Sequence, residues 1–309
     1  MDKKVFVIAG PTASGKTALA IALAKQLGGE IVSADSMQIY RGMDIGTAKA
    51  TSEEQAAVRH HMLDVADPRE NYSVARYVED ASACCDELLA RGAVPIVAGG
   101  TGLYIDSLLS GRSFAESGDD TLRRELDARY EEIGGEALLE ELRAVDPERA
   151  GRLSPNDRRR IVRALEIYRL TGKTITEHDA ETRALPPRYD ALRIVLGYRD
   201  RSALYARINS RVDEMIRAGL FEEVASLLSS GVGPECTAMQ AIGYKEAVSA
   251  LQGSISREEA VEEIKLGSRR YAKRQMTWFG RWEDAVRIEW PELPDLRYGL
   301  SVLEEKGVI

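Results

Sequence analysis

The segment Gly10-Pro11-Thr12-Ala13-Ser14-Gly15-Lys16-Thr17 constrains this chain more than any other. It satisfies G-x-x-x-x-G-K-[ST] at every position. It follows the apolar run Val5-Phe6-Val7-Ile8 and opens a helical pattern from Ala18 to Leu27, with Leu19, Leu23 and Leu27 on one face. The glycines let such a loop fold around phosphate oxygens with its backbone N–H groups turned inward, and the helix N-terminus adds its positive end. Lys16 supplies a point charge to the terminal phosphate, and Thr17 offers a hydroxyl to Mg²⁺. A strand–loop–helix of this kind belongs to α/β architecture with a parallel sheet.

The remaining pattern agrees. Glu30-Ile31-Val32-Ser33 reads as a second strand, Thr51-x-x-Glu54 as a capping box, and Val74 to Leu89 as a long helix. Val94-Pro95-Ile96-Val97-Ala98 reads as a third strand entering Gly99-Gly100-Thr101-Gly102. Residues 113–188 hold no strand-like run. Ser113 to Ala150 carries 12 acidic residues against 5 arginines, and Asn156 to Lys173 reverses the balance. This stretch is expected to be a helical insertion, domain 113–188, bounded by Leu185-Pro186-Pro187, within a core built from 1–112 and 189–309. Arg193-Ile194-Val195-Leu196-Gly197 returns to the sheet, and Ala285 to Ile288 is expected as a last strand.

Composition narrows the function. The net charge of −8 argues against coating nucleic acid through bulk charge, although a local basic groove remains open. Three cysteines, Cys84, Cys85 and Cys236, give neither a disulfide framework nor a zinc pattern. The N-terminal apolar run is too short for a signal core and no run approaches a membrane span, so a cytoplasmic protein is expected. The chain has no D-x-x-G or N-K-x-D, which weighs against a GTPase, and only a weak Walker-B-like Ile31 to Asp35. A small-molecule kinase, an NTPase and a transferase with a diphosphate leaving group stay open. Ligands in open α/β sheets bind beyond the carboxyl ends of the strands. Asp35 and Thr101 follow two such ends, Asp35 as a metal-positioning group, a proton acceptor or a plain turn cap.

Further segments carry a family resemblance. With the phosphate loop, they are Asp35-Ser36-Met37-Gln38-Ile39-Tyr40, Asp44-Ile45-Gly46-Thr47-Ala48-Lys49, Pro95 to Tyr104, Asn156-Asp157 with Arg160 to Glu166, Ala241-Ile242-Gly243-Tyr244-Lys245 and Arg270 to Phe279. Together they resemble the tRNA dimethylallyltransferase family, of bacterial type because no cysteine follows Cys236. The resemblance implies a P-loop NTPase-like core with an all-helical insertion. It also implies transfer of a dimethylallyl group from dimethylallyl diphosphate to the exocyclic amine of the adenosine 3′-adjacent to the anticodon, with Mg²⁺ and no nucleotide consumed. By the same resemblance Asp35 takes the amine proton and Thr101 orients the amine or a diphosphate oxygen. Gly10 to Thr17 bind the diphosphate with Arg211, preferred over Arg207 four residues earlier.

The tRNA contacts implied are Asp35, Ser36, Met37, Gln38 and Thr101; Arg123, Arg159, Arg160, Ile161, Val162 and Arg163; Gln240 to Lys245; and Lys273, Arg274 and Gln275. Two basic segments, Arg158–Arg163 and Lys265–Arg281, fit an anticodon stem-loop as partner. Gly280 and Ser268 depart from the family's usual residues. The expected state is a monomer. His60 and His61, being adjacent, are read as structural, and the aromatic residues near Trp278 as core rather than base-stacking. The rivals are a small-molecule kinase, which predicts ATP turnover without RNA affinity, and a non-catalytic tRNA-binding module, which leaves the complete phosphate loop unexplained.

Overall fold

The computed structural model describes residues 4–111 and 120–309. By contacts the chain divides into two compact units, Met1–Leu109 with Tyr189–Ile309, and Ser110–Arg188. The boundary expected at 112/113 lies outside the described residues.

The larger unit begins with β1 (Lys4–Ala9), α1 (Lys16–Leu27), β2 (Gly29–Ser33), α2 (Ser52–Ala57), β3 (His60–His61), α3 (Val74–Ala90), β4 (Val94–Gly99) and α4 (Gly102–Ser110). The insertion holds α5 (Asp120–Val145), α6 (Pro147–Ala150), α7 (Arg158–Thr171) and α8 (Ile175–Ala184). The larger unit resumes with β5 (Asp190–Tyr198), α9 (Arg201–Ala218), α10 (Leu220–Ser229), α11 (Tyr244–Leu251), α12 (Arg257–Phe279), β6 (Val286–Trp290) and α13 (Leu296–Glu305).

The six strands form one sheet in the order β3-β2-β4-β1-β5-β6, and every pairing is parallel. In β1 the run Val5 to Ala9 is buried throughout, as a central parallel strand covered on both faces requires. The direction of winding reverses at β1, with β2, β3 and β4 on one side and β5 and β6 on the other. That reversal opens a crevice above the carboxyl edge, where the phosphate loop begins. Ile8, Leu19, Leu23, Ile31, Ile96, Ile194, Leu196, Ile288 and Trp290 pack into one core.

Local signals start and stop the helices. The capping boxes at Thr51/Glu54 and Ser256/Glu259 both form, and Gly28 closes α1 at φ 62°. Three elements escape sequence patterning. β3 is two residues long and exists because Ile31 and Val32 pair with His60 and His61. α4 opens directly from the glycine-rich turn, where Gly102 lies too close to the Trp278 ring for any side chain. α13 packs Gly299 against Trp290. The two histidines serve this edge, His61 Nε2 bonding Glu30 at 2.6 Å and His60 Nδ1 the Val58 carbonyl.

The insertion has its own core of Leu126, Leu138, Leu139, Leu142, Ile161, Val162 and Leu165. Helix α5 is interrupted at Gly134, whose φ and ψ are 83° and 158°. Beside the core, Glu166 is fully buried and accepts from both Arg123 (2.9 Å) and Arg163 (2.8 Å), the pairing that a buried carboxylate requires.

Trp290 ties the core to the crevice, because its indole N–H donates to the Ser14 carbonyl at 2.9 Å while the ring is 1% exposed. Trp290→Phe should lower unfolding stability by about 1–3 kcal/mol, since the carbonyl is left buried and unpaired. An unchanged midpoint in a denaturant titration would show that the bond carries nothing.

Candidate active site

The phosphate loop is bent by backbone that ordinary residues avoid. Gly10 (φ 152°), Ala13 (φ 64°) and Gly15 (φ 81°) all have positive φ, and a Cβ on Gly10 would meet the Leu196 carbonyl at 2.6 Å. The Ala13 carbonyl accepts from Tyr198 Oη at 2.9 Å and Arg207 Nε at 3.1 Å. These bonds hold a left-handed alanine that otherwise costs about 1–3 kcal/mol.

Lys16 Nζ donates to the Gly10 and Pro11 carbonyls at 3.1 and 2.7 Å. Burial, and then repulsion from Arg211, lower its pKa to about 7 against an opposing pull from Asp35. Burial and Arg207 lower Arg211 likewise. Two basic groups thus share a desolvated part of the cleft, with Asp35 as the anion both feel. Arg207 is exposed and spends Nε on Ala13, whereas Arg211 is partly buried and interacts electrostatically with both Lys16 and Asp35. Asp213, two residues further on, pairs with Lys265 at 2.9 Å.

The ends of β2 and β4 are laced together. Thr101 N donates to the Ala34 carbonyl, Ser36 N to Thr101 Oγ1 at 3.0 Å, and Gly99 lies so close to Ala34 that a Cβ would sit 2.1 Å from its carbonyl oxygen. Asp35 Oδ1 accepts from Met37 N at 2.9 Å and Gln38 N at 3.4 Å. The carboxylate thus caps its own turn while lining a cleft of about 1190 Å³ with Lys16, Thr17 and Arg211. Turn cap and cleft carboxylate are one residue, not alternatives. Thr101 stands behind Ser36 rather than on the cleft lining.

The loop Asp44–Lys49 also lines the cleft, tied to the Asp35 turn through Gln38. Glu223 accepts from three consecutive amides, Asp44 N (2.9 Å), Ile45 N (2.8 Å) and Gly46 N (3.2 Å), and from Tyr244 Oη at 2.6 Å. Lys49, with a side chain 3% exposed, bridges Asp44 and Asp64 at 2.6 Å each and donates to the Tyr40 carbonyl. Gln38 Nε2 donates to the Thr47 and Ala48 carbonyls, and its Oε1 accepts from Ser33.

The expected RNA contacts differ widely in exposure. Ile161 and Val162 are 0% and 3% exposed because they face the insertion core. Tyr244 is fully buried and spent on Glu223. Gln275 is 5% exposed, with both ends of its amide bonded inside the protein. Ala241 and Gly243 are buried too, although with Gln240 and Ile242 they line the cleft. Arg123 and Arg163 are partly exposed but ion-paired to Glu166, and Gln240 donates to the Pro234 carbonyl. Arg159, Arg160, Lys245, Lys273 and Arg274 are exposed.

Sequence reasoning overlooked Glu223, which reaches its loop across 177 or more residues, and Tyr271, whose hydroxyl lies 3.5 Å from the Gly100 carbonyl. It also overlooked Asp106, whose two oxygens accept from the indoles of Trp278 (2.8 Å) and Trp282 (3.1 Å). Those indoles are thereby structural.

A phosphate loop facing a carboxylate at the switch point of a parallel sheet defines a P-loop-type enzyme acting on a phosphorylated substrate. The comparisons sharpen this. The family described as IPP transferase matches residues 38–282, and that described as isopentenyl transferase matches 3–71. The tRNA dimethylallyltransferases of Caldanaerobacter subterraneus subsp. tengcongensis and Geobacillus thermodenitrificans are 49% and 50% identical, covering 92% and 96% of this chain and 90% and 92% of their own. The crystal structure of a full-length tRNA isopentenylpyrophosphate transferase from Bacillus halodurans superposes with TM-score 0.71 at 40% identity, covering 99% of this chain and 98% of that one. A eukaryotic dimethylallyltransferase crystallised acting on tRNA gives TM-score 0.83 at 30% identity, over 99% and 78%. The chain belongs to the tRNA dimethylallyltransferase family and is a prenyltransferase.

Glu223→Leu should release the 44–46 amides and raise their hydrogen–deuterium exchange by about tenfold or more, the equivalent of one to two lost hydrogen bonds. Equal exchange in variant and parent would mean that Lys49 and Gln38 hold the loop without Glu223.

Proposed function

We propose that the chain transfers the dimethylallyl group of dimethylallyl diphosphate to N6 of the adenosine 3′-adjacent to the anticodon of tRNA. The observation that carries this reading is the placement of Asp35 at the mouth of the phosphate loop, within the field of Lys16 and Arg211. In the reaction the bond between the allylic carbon and the diphosphate oxygen breaks as N6 bonds that carbon. The N6 proton passes to the Asp35 carboxylate, whose Oδ1 is fixed by two amides. Negative charge gathers on the departing diphosphate, where loop amides, Lys16 and Arg211 are preorganised to receive it. Thr101, bonded to Ser36 N, sets the path of the segment carrying Asp35 and orients the amine or a diphosphate oxygen through that segment.

The donor set suits magnesium. Thr17, which carries a hard hydroxyl oxygen, lines the same cleft as Asp35. Mg²⁺ binds through few protein oxygens plus substrate phosphates and water, so it needs no acidic cluster, and among the described residues no group of three or more His, Cys, Asp or Glu forms one. Bound at Thr17, the ion supplies charge neutralisation to the leaving diphosphate.

A flipped adenine is reached only outside its stack, and the cleft has room for both a base and a five-carbon diphosphate. Ser36, Met37 and Gln38 line the cleft next to Asp35 in sequence, and Gln240 and Ile242 line it as well. Exposed Lys273 and Arg274 on α12, Lys245 on α11, and Arg159 and Arg160 on the insertion supply backbone phosphate contacts. Among the described residues no helix is long and apolar enough to cross a membrane.

Nucleoside mass spectrometry on unmodified tRNA, incubated with protein, Mg²⁺ and dimethylallyl diphosphate but no ATP, should show adenosine heavier by one dimethylallyl unit. Asp35→Ala should cut the single-turnover rate by about 10²–10⁴-fold. Unmodified adenosine with ATP consumed on a small acceptor would sink the reading.

Lys16 gives a pH signature. With its pKa lowered to about 7, the amine of the free protein is neutral above that pH, and an arriving diphosphate restores the ammonium. Binding of inorganic pyrophosphate at about pH 8.5 should take up about one proton, and affinity should fall as pH rises through 7. Calorimetry in buffers of different ionisation enthalpy reads this, with Lys16→Met as the control; no uptake in the parent protein contradicts the assignment.

A further inference from the structure

Helix α12 turns one face toward the crevice. Tyr271, Gln275 and Trp278, spaced i, i+4 and i+7, share that face and lie along the β4–α4 turn: Tyr271 and Gln275 at Gly100, Trp278 at Gly102 and Asp106. Gln275 does more than pack. Its Oε1 accepts from the backbone N–H of Thr12 at 2.9 Å, and its Nε2 donates to the Gly100 carbonyl at 2.9 Å. One amide side chain, 5% exposed, therefore spans from the second residue after Gly10 to the residue before Thr101. Contact is so close that a Cβ on Gly100 would sit 2.2 Å from Gln275 Nε2. One turn earlier, the Tyr271 hydroxyl reaches the same carbonyl; burial, then Asp35, push it up to about 12, so it stays a donor at neutral pH.

We propose that Gln275 is a positioning residue that sets the separation between the phosphate loop and the turn bearing Thr101, and does not contact RNA. The inference rests on reading the loop as the diphosphate site. Two partners 263 and 175 residues away in sequence meet one amide with the correct polarity at each end. No other common side chain of this length offers an acceptor and a donor on one planar group. A methionine of similar volume fills the space but leaves the Thr12 N–H and the Gly100 carbonyl buried without a bond. A glutamate keeps the acceptor and loses the donor until it is protonated.

The test compares Gln275→Met and Gln275→Glu with the parent protein. The readouts are affinity for inorganic pyrophosphate, affinity for unmodified tRNA, and single-turnover prenyl transfer. Gln275→Met should weaken pyrophosphate binding by about tenfold, slow transfer by a similar or larger factor, and leave tRNA affinity within about twofold. Gln275→Glu should be weaker still at neutral pH. Its pyrophosphate affinity, taken as a ratio to the parent at each pH, should recover as the carboxyl protonates, from above its ordinary value of about 4.3 because it is buried. That recovery keeps the test valid if the methionine variant fails to fold. Loss of tRNA affinity with pyrophosphate binding intact overturns the proposal in favour of an RNA contact. A flat ratio for the glutamate variant overturns it as well. A parent protein that does not bind pyrophosphate overturns instead the diphosphate reading beneath it, and the two failures are distinguished by that measurement.

Discussion

The structure depends on how the phosphate loop is held in a shape it would not keep alone. A left-handed alanine between two left-handed glycines is unstable in isolation, and here its carbonyl is gripped by Tyr198 at the end of β5 and Arg207 on α9. The next carbonyl, of Ser14, is gripped by Trp290 at the end of β6, and the Thr12 amide by Gln275 on α12. Every one of these groups lies beyond the insertion in sequence. The loop is written by residues 10–17, but its conformation is enforced by the part of the chain that follows the insertion.

The same economy governs the second wall of the cleft. Asp35 is fixed by amides of its own turn, that turn is fixed by Thr101, and the Asp44–Lys49 loop is suspended from Glu223 and Lys49. Lys49 is buried, but its carboxylate partners Asp44 and Asp64 are 60% and 44% exposed, so both pairs keep solvent on the anionic side. This avoids much of the desolvation cost of a fully buried pair. The insertion solves its own problem separately, with Glu166 buried between two arginines beside a leucine-rich core.

Charge is distributed with purpose in an acidic protein. Lys16, Arg207 and Arg211 share one end of the cleft, where Arg211 lowers Lys16 and Arg207 lowers Arg211, which prepares the site for a multiply charged anion. Lys265 and Arg269 of the basic run are already engaged, by Asp213 with Glu262 and by Asn209, whereas Arg270, Lys273 and Arg274 remain exposed. The run therefore divides into a structural part and a part open to solvent.

The sequence by itself determined the strand–loop–helix start, the capped helices and the residues Asp35, Ser36 and Thr101 at strand ends, because these follow from local backbone rules and short motifs. It also marked the Asp44–Lys49 and Arg270–Phe279 segments, without saying which of their side chains point inward. Burial of Tyr244, Gln275, Ile161 and Val162 was decided by tertiary packing, since a motif records which residues occur together and not which face of a helix meets the core. The two-residue strand β3, the Glu223 clasp on three distant amides and the Gln275 bridge likewise exist only in three dimensions. Each satisfies backbone groups far apart in the chain, and no local pattern carries that information.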